Sequence, residues 1–204
     1  MGSISNMADK TVIVDYDAGN IKSIANMLKF LQQDFIITSS AKDILNARRI
    51  IFPGQGHFRQ AVENLDRKKL IEPIKTAVKD GIPFLGICLG LQILFEKSEE
   101  APNFEGLSIL KGEVKKFESL KIPQIGWNKI SVTENNSFLA DDFYYFVNSY
   151  YVVPQNEEII SSVTNYGIDF CSSIQKDNLT AVQFHPEKSA KAGIDFFKLW
   201  ISGT

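Results

Sequence analysis

The chain has 204 residues, of which 44% are hydrophobic and 23% are charged, which suits one globular domain with a full core. Its formal net charge of −2 indicates no nucleic-acid surface, and no apolar run is long enough for a membrane span or a signal peptide. The two cysteines lack metal-ligand spacing, so we expect no metal site, no cofactor, and a reducing, cytoplasmic setting. Residues 1–6 look like an expression remnant, which leaves a single domain over residues 7–204.

Strands and helices alternate in the first half of the chain. The β-branched run Thr11–Tyr16 predicts a buried strand, and a run with the apolar period of a helix follows it. This order predicts an α/β fold with a mostly parallel central sheet and helices on both faces. The other predicted strands are Asp34–Ser39, Ala47–Phe52 and 83–87, and the predicted helices are Ile21–Leu31, Arg59–Asp66, Leu70–Lys79 and a run from residue 89 to about Phe95.

The second half of the chain has a different pattern, with short alternating runs separated by turn signals. These runs predict an antiparallel, β-rich second half, and a final helix over about Ser189–Ile201. No linker or repeat separates the two halves, so we expect one domain. The predicted strands are Ser108–Leu110, Glu113–Phe117, Lys129–Thr133, Phe143–Val147, Ile159–Val163, Phe170–Ile174 and Thr180–Phe184.

Residues 86–90 read Gly-Ile-Cys-Leu-Gly, which is the cysteine form of the nucleophile elbow. In such a sharp strand-to-helix turn, small flanking residues let the chains pass closely, and the free N–H groups at the helix start favour a thiolate. The alternative is a buried, inert cysteine, as we expect for Cys171 in its strand. Cys88 is therefore a candidate nucleophile, and the rest of the chain must decide between the two interpretations.

A second motif, Gln-Phe-His-Pro-Glu-Lys-Ser at residues 183–189, follows an apolar strand and precedes a helix. His185 is thus placed at the sheet rim where α/β proteins carry their sites, and Glu187 is close enough to orient its ring. Cys88, His185 and Glu187 would supply a nucleophile, a base and an orienting carboxylate. The alternative is an ordinary helix start. His57 is a weaker candidate base, because it lies within a loop without a nearby carboxylate.

The glycine-rich loop Pro53–Phe58 follows the third predicted strand. Glycines on both sides of Gln55 free backbone N–H groups to point at a developing oxyanion, and the Leu89 N–H would be the second donor, as elbows provide. Each such donor can stabilise a transition state by about 2.7–4 kcal/mol. A simple glycine turn after a strand explains the loop equally well.

The three motifs together, G-I-C-L-G-L-Q at 86–92, P-G-Q-G-H-F at 53–58 and Q-F-H-P-E-K-S at 183–189, resemble those of the class I (triad) glutamine amidotransferases. Further matches at 17–20 (D-A-G-N), 123–128 (P-Q-I-G-W-N) and 144–150 (Y-Y-F-V-N-S-Y) are similar to the glutaminase subunits of imidazole glycerol phosphate synthases. The resemblance extends from Thr11 to the last helix. It implies the flavodoxin-like sheet of that family.

The resemblance also implies an activity, the hydrolysis of L-glutamine to glutamate and ammonia. Cys88 would attack the side-chain amide to give a thioester, His185 would protonate the leaving ammonia and then activate water, and Glu187 would orient His185. Gln55 and Leu89 would give the oxyanion N–H groups. Residues that would line the glutamine pocket are Gly54, Gly56, Gln92, Glu100, Asn148, Ser149 and Tyr150.

In the family, ammonia passes to a partner subunit instead of solvent. The resemblance implies a heterodimer with a (β/α)8-barrel cyclase that makes imidazole glycerol phosphate and AICAR in histidine biosynthesis. Positions that would face this partner are Gly19, Asn20, Trp127 and Lys188.

Two positions depart from the family pattern, which usually has histidine where this chain has Gln124 and Asn148. Neither belongs to the triad, but both put the acceptor of the ammonia in question. One alternative is a related glutaminase subunit that supplies another synthase, such as one for surface-polysaccharide sugars. A stand-alone cysteine hydrolase, such as a γ-glutamyl peptidase, and a non-catalytic regulatory subunit are further alternatives. The Gly19-Asn20 match disfavours the stand-alone hydrolase, and the complete triad disfavours the non-catalytic subunit.

Overall fold

The structure, a computed structural model, describes residues 10–118 and 121–204. The predicted expression remnant at residues 1–6 lies outside the described residues, and the single domain over 7–204 stays a prediction. Within the described residues, no helix is long and apolar enough to cross a membrane.

The first half of the described chain alternates strands with helices, as its apolar periods predict. Each residue of the first and fourth strands is buried, as expected for strands covered on both faces of a sheet. Asn20 caps the amino end of the first helix, since its Oδ1 accepts the Ser23 N–H at 3.4 Å. The strands are β1 (Thr11–Val14), β2 (Phe35–Thr38), β3 (Arg49–Phe52), β4 (Phe84–Ile87) and β5 (Phe95–Ser98), and the helices are α1 (Ile21–Phe30), α2 (Ala41–Leu45), α3 (Phe58–Arg67), α4 (Ile71–Lys79) and α5 (Leu89–Gln92).

The second half is rich in strands and ends in a helix. Its strands are β6 (Leu110–Lys116), β7 (Gln124–Lys129), β8 (Ser131–Val132), β9 (Phe143–Asn148), β10 (Tyr150–Pro154), β11 (Ile160–Asn165), β12 (Asp169–Lys176) and β13 (Leu179–Val182), and the helix is α6 (Ala190–Ser202). Cys171 is buried in β12, as predicted.

The main sheet has the strand order β2-β1-β3-β4-β13-β12-β10-β6-β5, and β8 and β11 extend it beside β12. The five strands from β2 to β13 are parallel, whereas β12 pairs antiparallel with β10, β11 and β13. Strands β7 and β9 form a separate antiparallel ribbon. The predicted α/β fold is thus confirmed. Because β3, β4 and β13 are parallel neighbours, their carboxyl ends meet at one edge of the sheet.

The helix after Cys88 is shorter than predicted. It ends at Gln92, Ile93 and Leu94 form a turn, and Phe95 begins β5. The Leu107 N–H donates to the Ile93 carbonyl at 2.7 Å, and the Leu110 N–H donates to the Leu94 carbonyl at 2.9 Å. These tertiary hydrogen bonds outweigh the helical preference of an apolar run that suits either element.

Other differences are smaller. The prediction missed α2, and the segment predicted as a separate strand at Ser108–Leu110 contributes only its last residue to β6. The strand predicted at Phe143–Val147 is confirmed as β9, and the prediction missed β10. These errors do not move the carboxyl ends of β3, β4 and β13.

Candidate active site

Cys88 occupies the sharp turn between β4 and α5. Its backbone has φ 56° and ψ −110°, a conformation that residues other than glycine rarely adopt. Its N–H donates to the Val182 carbonyl at 2.7 Å. The residue is 8% exposed, so its sulfur lies at the base of a recess instead of on the surface. Helix α5 begins directly after Cys88, and the first N–H groups of a helix have no intrahelical partners. The strained turn is the geometry of a nucleophile elbow.

Three glycines make this turn possible by allowing backbones to touch. A Cβ atom on Gly90 would lie 2.4 Å from the Phe52 carbonyl oxygen, and one on Gly86 would lie 2.6 Å from the Gly90 oxygen. A Cβ atom on Gly54 would lie 2.1 Å from the Gly90 nitrogen. The structure therefore places Gly54 beneath the elbow and not among the residues that line the cavity, where the family pattern would put it. The glycine loop and the elbow form one packed unit.

His185 follows β13 and pairs with Glu187 two residues later. The Nδ1 of His185 is 2.8 Å from Glu187 Oε1, and the two side chains are 3% and 1% exposed. The His185 N–H donates to the Tyr145 carbonyl, and its own carbonyl accepts the Ser189 hydroxyl at 2.7 Å. Both backbone bonds and the carboxylate fix the imidazole, so Nε2 is the nitrogen left for the cavity.

The charge of His185 depends on its neighbours. Burial by itself lowers the pKa of His185, but the Cys88 sulfur and the Glu187 carboxylate outweigh it and raise the pKa to about 10. Both neighbours therefore favour the positively charged form of the ring. The predicted Cys88, His185 and Glu187 are brought together, with Glu187 behind the histidine.

A cavity of about 220 Å³ opens above the cysteine. It brings together most of the residues that the sequence assigned to catalysis or to the glutamine pocket, and Lys188, which was assigned to the partner face. Pro123 and Val147 also line it, although the sequence analysis gave them no role. The lining residues named in the sequence analysis are Gln55, Gly56, Cys88, Leu89, Gln92, Glu100, Asn148, Ser149, Tyr150, His185 and Lys188.

Gln183 is a site residue that sequence reasoning missed. Its Nε2 lies 3.6 Å from the Cys88 sulfur, and its Oε1 accepts the Gln92 Nε2 at 3.0 Å. The same Gln92 nitrogen also donates to the Tyr150 carbonyl at 3.2 Å. A fully buried amide at the end of an apolar strand was the available signal, because buried polar groups need partners. Gln183 gives the sulfur an N–H donor and connects it to the wall of the cavity.

The loop after β3 is held from both ends. The Tyr16 hydroxyl donates to the Pro53 carbonyl at 2.8 Å, and the Tyr16 ring stacks on Phe52. At the other end, Glu100 Oε2 accepts the Phe58 N–H at 2.7 Å. His57 is exposed, and its Nδ1 accepts the Arg59 N–H at 3.2 Å, so it caps α3. Its ring does not line the cavity, which leaves His185 as the base.

Of the residues expected to face a partner, Lys188 lines the cavity and Trp127 lies on the β7–β9 ribbon. Trp127 is 52% exposed and packs edge-on against Tyr145. Gly19 and Asn20 also have local roles, since a Cβ atom on Gly19 would lie 2.9 Å from Pro53 and Asn20 caps α1. Across the described part of the chain, no three histidine, cysteine or carboxylate side chains are grouped as metal ligands would be.

Comparison with known proteins agrees with this geometry. The family model for glutamine amidotransferase class-I matches residues 12–198. The chain belongs to the class-I glutamine amidotransferase family.

Relatives cover nearly the whole length of this amidotransferase. It is 44% identical to the imidazole glycerol phosphate synthase subunit HisH of Dehalococcoides mccartyi, over 92% of this chain and 96% of that protein. It is 38% identical to the HisH subunit of Geobacter metallireducens, over 91% of this chain and 94% of that protein. It is also 44% identical to the HisH subunit of Methanocaldococcus jannaschii, over 93% of this chain and 97% of that protein.

Solved structures show the same fold at lower identity. A crystal structure of glutamine amidotransferase has a TM-score of 0.76 at 16% identity, and covers 94% of this chain and 97% of that one. The structure of PurLQS from Thermotoga maritima has a TM-score of 0.73 at 16% identity, with 95% and 98% covered.

Proposed function

We propose that this chain is the glutaminase subunit of an imidazole glycerol phosphate synthase. It hydrolyses L-glutamine to glutamate and ammonia, and the ammonia is used by a cyclase partner in histidine biosynthesis. The observation that carries the proposal is the buried His185–Glu187 pair beside Cys88 on a strained elbow, inside one small cavity. The HisH relatives, with 38–44% identity over nearly their full length, support the choice of synthase.

The first half of the reaction forms a thioester. The Cys88 thiolate attacks the side-chain carbonyl carbon of glutamine, and the oxyanion that develops accepts the Leu89 and Gln55 N–H groups. His185 then donates its Nε2 proton to the departing nitrogen, and the carbon–nitrogen bond breaks to release ammonia. Glu187 keeps the ring oriented and stabilises its positive charge. Gln183 holds the sulfur through its own N–H.

The second half of the reaction restores the cysteine. Neutral His185 takes a proton from a water molecule, and the hydroxyl attacks the thioester carbon. The carbon–sulfur bond breaks, glutamate leaves, and the thiolate faces an imidazolium again. Glu100 is a carboxylate on the cavity wall, so it suits the α-ammonium group of the substrate.

The partner surface is the exposed face of the β7–β9 ribbon. Ile125 and Trp127 are 64% and 52% exposed and alternate with inward-facing residues of β7. Exposed aromatic and aliphatic side chains next to a catalytic cavity are typical of a binding surface. We propose a heterodimer in which a (β/α)8-barrel cyclase covers this ribbon, with Gly19, Asn20 and Lys188 at the border. We also propose a cytoplasmic setting, where reducing conditions keep Cys88 a free thiol.

Glutamine hydrolysis, measured with and without the partner, tests the proposal. Glutamate formation should be slow for the chain alone and rise strongly when the cyclase subunit of the same organism and its nucleotide substrate are added. Cys88→Ala should abolish hydrolysis in both conditions, whereas the matched control Cys171→Ala should retain it.

The other outcomes separate the alternatives. Turnover retained by Cys88→Ala would contradict the cysteine mechanism. No stimulation by the cyclase, with Cys88 still labelled by a glutamine-like electrophile, would assign the chain to a different synthase. Full activity without any partner, and with larger γ-glutamyl substrates, would indicate a stand-alone hydrolase.

A further inference from the structure

Two buried amide side chains face each other on the ribbon and keep unused acceptors. Gln124 in β7 and Asn148 in β9 are directly paired in the antiparallel register, so their side chains lie on the same face. They are 3% and 5% exposed, yet Gln124 Oε1 and Asn148 Oδ1 have no hydrogen-bond partner. Buried polar atoms without a partner are uncommon in folded proteins, so two of them side by side need an explanation.

The orientation of Asn148 follows from its other contact. Its Nδ2 donates to the Tyr150 carbonyl at 3.0 Å, which a carbonyl oxygen in the same place could not do. The unpaired atom of Asn148 is therefore its oxygen, which can accept hydrogen bonds but not donate them. A ligand that pairs with this oxygen must donate an N–H or O–H group.

This acceptor pair, Gln124 and Asn148, adjoins the wall next to the nucleophile. Asn148 lines the catalytic cavity, and the carbonyl of the preceding residue, Val147, lies 3.9 Å from the Cys88 sulfur. Pro123, which precedes Gln124, also lines the cavity. The substrate's α-ammonium group is better placed on the carboxylate of Glu100. The remaining donor that the reaction produces beside this wall is the nitrogen released from the amide that Cys88 attacks.

The same strand connects the acceptor pair to the partner surface. Ile125 follows Gln124 directly and is 64% exposed, because successive side chains of a strand point to opposite faces. The acceptor pair thus sits on the inner face of the ribbon whose outer face carries Trp127. The ribbon itself therefore separates the acceptor pair from the proposed partner surface.

We propose that the carbonyl oxygens of Gln124 and Asn148 accept hydrogen bonds from the ammonia released at Cys88. Ammonia carries three N–H groups after the proton transfer from His185, and can donate to both oxygens at once. The pair retains it at the cavity wall that the ribbon forms, which favours transfer over escape to solvent. This inference rests on the proposed function, because it needs a partner that consumes ammonia.

The test is the coupling ratio, defined as cyclase product formed per glutamate formed, in the complex with the cyclase subunit. Gln124→Leu removes the acceptor at similar volume. A lost hydrogen bond is worth about 0.5–1.5 kcal/mol, so the partition of ammonia between transfer and escape should fall roughly 2- to 10-fold. Gln124→His keeps an acceptor nitrogen and should restore most of the coupling. If Gln124→Leu does not fold, Gln124→Met takes its place.

Stability separates this function from a structural role. Gln124 Oε1 makes no bond in the fold, so Gln124→Leu should keep or raise the midpoint of thermal unfolding. The matched control is Thr164→Val, which removes another buried, unpaired oxygen that does not line the cavity. It should behave like Gln124→Leu in unfolding and leave the coupling ratio unchanged.

The outcomes are distinct. A coupling ratio in Gln124→Leu equal to that of the unsubstituted protein would overturn the inference and leave the proposed function standing. A lower unfolding midpoint with unchanged coupling would make Gln124 a structural residue and overturn it too. An unsubstituted protein that hydrolyses glutamine but gives the cyclase no ammonia would overturn the proposed function itself.

Discussion

The Glu187→Gln substitution tests how the site controls the charge of His185. Glu187 Oε1 accepts the His185 Nδ1 proton at 2.8 Å, and both side chains are nearly inaccessible to solvent. The substitution keeps an acceptor oxygen and the shape of the side chain but removes the negative charge. Because the carboxylate is one of two neighbours that raise the pKa of His185 to about 10, the pKa should fall in the variant.

The size of the effect follows from the strength of the bond. A buried hydrogen bond to a charged group contributes about 1.5–3 kcal/mol, and one between neutral groups about 0.5–1.5 kcal/mol. The difference of about 1.4 kcal/mol corresponds to a decrease of about one in the pKa. Since the imidazolium is lost as pH rises through this pKa, the variant should have roughly threefold less of it than the unsubstituted protein near pH 9.5.

NMR of the imidazole carbon-bound protons measures the effect directly. The chain has two histidines, so the exposed His57, which the substitution does not touch, gives the control signal. The alkaline limb of glutamine hydrolysis, followed in the complex, should move to lower pH with the His185 titration. A His185 titration midpoint that is the same in both proteins would refute the assignment of Glu187 as the group that holds the imidazolium.

Four further predictions concern the elbow, the thiols and the ribbon. Gly90→Ala puts a Cβ atom 2.4 Å from the Phe52 oxygen, and denaturant unfolding should show a loss of about 1–3 kcal/mol from overpacking; unchanged stability would contradict the packing. Gln183→Met removes the N–H donor to the Cys88 sulfur, and the rate of Cys88 carboxymethylation should fall roughly tenfold if the bond is charge-assisted. Burial raises the pKa of Cys171 to about 12, so a thiol reagent at pH 8 should label Cys88 alone, as peptide mass spectrometry can verify. Trp127→Ala should weaken cyclase binding by about 2 kcal/mol, or roughly 30-fold in Kd by calorimetry, and an unchanged Kd would remove the ribbon from the interface.

The sequence predicted the elements that place the nucleophile because their patterns are local. The run at Thr11–Val14 is β-branched and the apolar run before Cys88 is short, as is typical of strands buried on both faces. The G-x-C-x-G spacing similarly permits few alternatives to a close turn. Where the pattern is ambiguous, the prediction failed. The apolar pattern of Ile93 and Leu94 suits a helix or a strand, but their carbonyls bond to residues 107–110 and the two residues form the turn between α5 and β5.

The composition of the cavity wall could be predicted only in part. Family motifs pointed to Gln92 and Asn148, which do line the cavity. The contact between Gln183 and Cys88 joins residues 95 positions apart, and it depends on β4 and β13 being neighbours in the sheet. For Gly54 the motif was misleading: its position suggested a contact with the substrate, but the structure packs it against the backbone of Gly90. Local spacing identifies chemistry, whereas strand order decides which groups meet.

The unpaired polar atoms of the described chain give a physical reason to treat this site as incomplete on its own. Of six buried side-chain atoms without a hydrogen-bond partner, two belong to Gln124 and Asn148, which are paired across the ribbon beside the catalytic cavity. Leaving such an atom unpaired costs about 1–3 kcal/mol of folding free energy. Folding alone would favour apolar side chains at these positions. Their retention at one site is explained if ligands supply the missing donors during turnover, and ammonia leaving Cys88 is a donor that the reaction itself provides.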